Sequence, residues 1–166
     1  MKNTLKVTTP GDREIVLSRV FDAPRELVYE TMARPELLQR WLTGPPGWTM
    51  TVSENDLRVG GTFRHVWRSN DGTEMAMTGV YREVVPPERV VRTESFTFGC
   101  ESQMGEQLAT LVLTEHGGKT YLTVSVLYPS KEARDATIAS GMEHGVAASY
   151  DHLEELLAEA ARASAV

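Results

Sequence analysis

His65, Tyr81 and Glu94 are the residues of this chain best suited to hydrogen bonding or proton transfer inside an apolar enclosure. His65 stands in Phe63–Arg64–His65–Val66–Trp67, where a strand puts Phe63, His65 and Trp67 on one face and Arg64, Val66 and Arg68 on the other. Imidazole titrates near neutral pH, so His65 could bond a ligand or shuttle a proton, although a satisfied, partly exposed histidine is the plainer expectation. A following strand groups Met75, Met77, Gly79 and Tyr81. If the two faces coincide, they line a volume of rings and thioethers that adapts to flat or greasy ligands. The alternative is that they merely fill the core. Glu94 shares a face with Val90, Arg92 and Phe96. Desolvated there, it would have a raised pKa and could serve as a general base, but Arg92 two residues away favours a structural ion pair.

Other chemistries lack their residues. His65, His116, His144 and His152 form no HExxH motif or two-histidine cluster, and no metal or cofactor is expected. Glu143 and His144 open the last helix, where the helix dipole accounts for the glutamate. Gly60–Gly61 is a hairpin or bulge, because neither GxGxxG nor GxxxxGK[ST] is present, and no GxSxG elbow occurs. Cys100 is the only cysteine, which excludes an internal disulfide and a cysteine-based zinc site and leaves a lone thiol with no motif around it.

The elements that would position these groups follow from hydrophobic period and turn signals. Arg13 to Phe21 reads as a strand with Ile15, Leu17 and Phe21 on one face and Val16 and Val20 on the other. Pro24 suits a first helical position, and Pro35 restarts a helix that carries Leu37, Leu38, Trp41 and Leu42 and ends at Gly44–Pro45–Pro46–Gly47. A meander of six strands is then expected over Thr49 to Leu57, Thr62 to Arg68, Thr73 to Val85, Arg89 to Phe98, Glu106 to Glu115 and Lys119 to Leu127. With the first strand, that makes about seven. Ser130 caps a helix over Lys131 to Ile138, with Arg134 on its exposed side, and Gly141 interrupts it. From Met142 onward, Val146, Ser149, Tyr150, Leu153, Leu156 and Leu157 form one apolar stripe of a long closing helix. A single helix has more curved sheet to cover than it can, so the space between them is either filled by large side chains or left as a cavity, which Met142, Val146 and Tyr150 would line.

At 166 residues and 41% hydrophobic, the chain fits one domain that buries roughly 70% of its unfolded surface. No apolar run reaches membrane-span length and no signal peptide is read, so a cytoplasmic location is expected. A formal charge of −6 with scattered Lys and Arg argues against nucleic acid. A homodimer through an open sheet edge is compatible with the pattern.

The runs Val20–Phe21–Asp22–Ala23–Pro24–Arg25–Glu26–Leu27–Val28, Pro35–Glu36–Leu37 with Trp41, Arg58–Val59–Gly60–Gly61–Thr62, Asp71–Gly72, Gly79–Val80–Tyr81 and Pro86–Pro87–Glu88–Arg89 resemble the activator-of-Hsp90-ATPase-homologue-like branch of the START/Bet v 1-like (SRPBCC) superfamily. Tyr128–Pro129–Ser130–Lys131–Glu132–Ala133–Arg134–Asp135 and Gly141–Met142–Glu143–His144–Gly145 are similar to its bacterial single-domain members. The resemblance spans about residues 12 to 160. It implies an α+β helix-grip fold, in which six or seven antiparallel strands grip a C-terminal helix and two short helices lie near the N-terminus. Helix-grip proteins include lipid carriers, hormone and allergen-type binders, polyketide cyclases and co-chaperone domains, so fold leaves activity open. Three readings follow. One is a binder of a small apolar or aromatic molecule through Phe63, His65, Trp67, Met75, Met77, Tyr81, Glu94, Phe96, Met142, Val146 and Tyr150. Another is a cyclase-type enzyme using His65, Glu94 or Tyr81, and the third is a protein-interaction module presenting an apolar patch of Leu37, Trp41 and Trp48.

Overall fold

Ile15, Leu17, Arg19 and Phe21 are buried in alternation with half-exposed neighbours along β2 (Glu14–Phe21), so one face of this strand is covered from end to end. The computed structural model describes residues 4–44, 46–98, 101–102 and 105–164. Around β2 stand β1 (Lys6–Thr8), β3 (Trp48–Asn55), β4 (Thr62–Ser69), β5 (Glu74–Val85), β6 (Arg89–Phe98), β7 (Glu101–Ser102), β8 (Gln107–His116) and β9 (Lys119–Leu127). They form one antiparallel sheet in the order β1-β2-β9-β8-β6-β5-β4-β3, with β7 paired to β6 off this path. The helices are α1 (Arg25–Ala33), α2 (Pro35–Trp41), α3 (Lys131–Ala139) and α4 (Met142–Ser164). The sheet is therefore larger than the expected seven strands. β1 is a three-residue edge strand with too little sequence to show a period, and β7 lies between the strands expected over Arg89 to Phe98 and Glu106 to Glu115. Cys100 falls outside the described residues.

Pro24 is extended at φ −68° and ψ 151°, so it caps α1 rather than entering it; its carbonyl accepts the Val28 N–H at 3.1 Å. The break between the two short helices comes from Pro35, which drives Arg34 out of the helical region to ψ 122°. Ser130 accepts the Ala133 N–H at 3.1 Å and caps α3 as the sequence predicts. Arg134 departs from expectation. It is 7% exposed, and its Nη1 donates to the carbonyls of Gly11 at 3.3 Å and Glu14 at 3.0 Å, so it fastens α3 to the start of β2 rather than facing solvent.

The sheet bends at Gly79. Ladder pairs between β5 and β6 stop at Thr78–Ser95 and resume at Tyr81–Arg92, and a bulge follows between Tyr81 and Glu83. In the gap the Val80 N–H donates to Thr93 Oγ1 at 3.0 Å. Gly79 faces Phe63 across β4, and a β-carbon on it would stand 1.9 Å from the Thr93 carbonyl oxygen and 2.6 Å from the Phe63 ring. Only glycine fits this approach. Gly60, at φ +83°, donates to the Tyr81 carbonyl at 2.8 Å, while Tyr81 N–H donates to Gly61 at 2.9 Å.

Within the curve lies α4, whose Tyr150, Leu153, Leu156 and Leu157 are buried against Phe21, Val28, Leu38 and Trp41. Phe21 meets Tyr150 edge to face at 5.8 Å, and Trp41 stacks on the same ring at 6.2 Å. Arg19 fixes the helix electrostatically: Nη1 reaches Asp151 at 2.9 Å and Nη2 reaches Glu154 at 2.8 Å, with the guanidinium 5.4 Å from the Phe21 ring. No helix among the described residues is long and apolar enough to cross a membrane.

A cavity between the sheet and the terminal helix

Between the sheet and the N-terminal part of α4 lies a cavity of about 640 Å³. From β4 and β5 come His65, Trp67, Met75, Met77 and Tyr81, brought to one face because His65 pairs with Met77 and Trp67 with Met75. From β6 come Val90, Arg92, Glu94 and Phe96, and from α4 Met142, Val146 and Tyr150. Ten of the eleven residues expected at a ligand site thus share this wall. Phe63 does not. It is buried behind the wall, filling the space above Gly79 and carrying the Arg92 guanidinium 4.2 Å over its ring.

Several lining residues have no counterpart in the sequence expectations. Tyr29 and Trp41 come from α1 and α2, Asn55 from β3, Gln107 from β8 and Tyr128 from the end of β9. Asn55 and Gln107 carry no local signal, since a strand amide reads as surface unless its cross-strand neighbour is known. All three tryptophans, Trp41, Trp48 and Trp67, line the cavity. Trp67 is held by its Nε1, which donates to the Leu42 carbonyl at 2.7 Å. Thr43 Oγ1 lies 3.0 Å from His152 Nδ1, and the Gly44 N–H donates to Ser149 Oγ at 3.3 Å, so the segment after α2 is tied to α4 at the same rim.

The polar groups on this wall are largely engaged with one another. Arg92 donates to Glu94 Oε2 from Nε at 3.0 Å and from Nη2 at 2.8 Å, and Gln107 Nε2 donates to Glu94 Oε1 at 2.9 Å. Glu94 is thus committed to the ion pair, the outcome its spacing from Arg92 favoured over a free general base. Burial is the largest single influence on Arg92 and opposes its charge, but Glu94 and Tyr81 together outweigh it and raise the guanidinium pKa. The Tyr81 hydroxyl donates to Asn55 Oδ1, and Asn55 Nδ2 donates to the Ala33 carbonyl at 2.9 Å. Burial raises the Tyr81 phenol above its ordinary pKa against the pull of Arg92, and burial with nearby Glu94 pushes Tyr128 up to about 12.

His65 differs from its expectation. It is 1% exposed rather than partly exposed, and its Nδ1 is buried without a hydrogen-bond partner among the described residues. Burial first, and then the Arg92 charge, lower its pKa to about 4, so the ring is neutral near pH 7. Tyr29 Oη and Trp41 Nε1 are likewise buried without partners. The apolar patch imagined for a protein partner is not exposed: Trp41 is buried, and Leu37 and Trp48 are partly buried. Among the described residues no three His, Cys, Asp or Glu side chains are gathered to hold a metal ion.

A curled antiparallel sheet holding a long C-terminal helix, with a lined space between them, defines a helix-grip protein of the START/Bet v 1-like (SRPBCC) superfamily, a fold known for ligand binding. The profile of the family described as Activator of Hsp90 ATPase homolog 1-like protein matches residues 22–158, and the chain belongs to that family. Solved structures agree. A crystal structure of a Rhodobacter sphaeroides protein is 31% identical, with a TM-score of 0.86 over 94% of this chain and 99% of that one. A Chromobacterium violaceum protein is 29% identical, with a TM-score of 0.75 over 87% and 96% of the two chains. One from Nitrosomonas europaea, 24% identical with a TM-score of 0.80 over 93% and 99%, shares the fold. No curated protein matches the sequence.

Proposed function

We propose that the protein binds a small hydrophobic or aromatic molecule in the cavity between the sheet and α4. The observation that carries this reading is the cavity itself: about 640 Å³ is within the range of small-molecule sites, and its wall joins Trp67, Met75, Met77 and Phe96 on the sheet to Met142 and Val146 on the helix. Burying an apolar ligand there gains roughly 25 cal/mol per Å² of surface removed from water. Binding is favoured over cyclase-type catalysis because Tyr81 and Glu94, the acid–base candidates besides His65, are already occupied by Asn55, Arg92 and Gln107. An enzyme would need them free to meet a substrate.

The test is ligand titration followed by native mass spectrometry and by tryptophan fluorescence, since every tryptophan lines the cavity. A pooled set of lipophilic and aromatic molecules is expected to give a defined one-to-one adduct. Filling the space with Val124→Phe and Val146→Trp is expected to weaken that adduct at least about tenfold, because the added rings compete with the ligand for volume. Arg64→Ala, an exposed position on the outer face of β4, should leave it unchanged. Equal affinities for the filled and the Arg64 variants would place the ligand elsewhere.

A further inference from the structure

Resting on that reading, we propose that the cavity selects an uncharged ligand and excludes carboxylates, sulfonates and phosphates. Among the described residues Arg92 and Glu94 are the only charged side chains on the cavity wall, and they cancel. Two guanidinium nitrogens are turned to one carboxylate oxygen, the other oxygen takes the Gln107 amide, and the guanidinium face rests on Phe63. An anion entering this space would give up its hydration and find no uncommitted cation in return, a net penalty that a neutral molecule of the same shape escapes. Selection of this kind works by rejection as much as by attraction.

The polar atoms of lining residues that lack partners among the described residues, His65 Nδ1, Trp41 Nε1 and the Tyr29 hydroxyl, are buried too completely to meet an entering anion.

The experiment compares two molecules with one ring system, 2-naphthol and 2-naphthoate, by isothermal titration calorimetry at neutral pH, where the first is uncharged and the second ionised. The wild-type protein is expected to bind 2-naphthol at least about tenfold more tightly. Glu94→Gln leaves the Arg92 charge without its counter-ion and is expected to strengthen 2-naphthoate at least about tenfold, narrowing or reversing the preference. Equal affinities in the wild type, or tighter 2-naphthoate, would overturn the charge selection while leaving ligand binding intact. If neither compound binds and the neutral probe N-phenyl-1-naphthylamine also fails, the cavity reading falls and this inference with it. Should Glu94→Gln not fold, the wild-type comparison alone still separates these outcomes.

Discussion

Gly79→Ala is expected to cost the protein about 3 kcal/mol or more of stability, read as a fall of roughly 10 °C in the midpoint of thermal unfolding. The added methyl group would stand 1.9 Å from the Thr93 carbonyl oxygen and 2.6 Å from the Phe63 ring. Neither neighbour is free to retreat. The Thr93 carbonyl belongs to the backbone of β6, whose position is fixed on the other side by its pairing with β8. Phe63 is 2% exposed, and its ring is held under Arg92 and against His65 and Tyr81 at centroid distances of 5.3 and 5.4 Å. Accommodating the methyl means separating β5 from β6 at the bend that curls the sheet around α4. Ligand affinity should therefore fall with stability. A variant as stable as the parent would show that the bend does not depend on the close approach at Gly79.

Acidification supplies the second large effect. Burial and the Arg92 charge lower His65 to about 4 in the folded protein, against an ordinary value of 6.5, with Glu94 and the phenols of Tyr29, Tyr81, Tyr128 and Tyr150 the other ionisable groups lining the cavity. The unfolded chain then binds a proton below pH 6.5 that the folded chain refuses until about pH 4. Stability contributed by the neutral ring is complete above pH 6.5 and drains away as the pH falls, by about 1.4 kcal/mol per unit and about 3 kcal/mol across the window. His65→Leu removes this proton and also the unpartnered Nδ1. Urea unfolding from pH 4 to 7.5 is expected to show the variant overtaking the wild type on acidification, by about 2 kcal/mol at pH 5 relative to their difference at pH 7. Parallel curves for the two proteins would mean that His65 takes up its proton in the folded state as readily as in the unfolded one.

The periodicity of the sequence carried much of this fold. The limits of β6 and β9 and the serine cap of α3 are all legible from alternation and turn residues, because these features are set by near neighbours. Alternation also says which residues share a face, which is why His65, Trp67, Met75, Met77 and Tyr81 are found together. It does not say what covers that face. His65 reads as partly exposed because its burial is supplied by elements distant in the chain, and Phe63 reads as a ligand contact because the bend at Gly79 that draws its ring behind the wall is invisible in a strand pattern. Arg19 occupies a buried register position against its hydropathy. Its carboxylate partners, Asp151 and Glu154, lie more than 130 residues away on α4. Asn55 and Gln107 escaped notice for the same reason: each acts through a partner on another strand, Tyr81 and Glu94 respectively.

The cavity can be watched through its methionines. Met32, Met75, Met77 and Met142 line it, whereas Met50 is buried in the core away from its wall. With methionine methyl groups labelled with carbon-13, titration of N-phenyl-1-naphthylamine is expected to move the resonances of Met32, Met75, Met77 and Met142 together. They should saturate at one equivalent, while Met50 stays in place. Saturable binding that leaves those four methyls unmoved, or no binding at all, would contradict a ligand site between the sheet and the terminal helix.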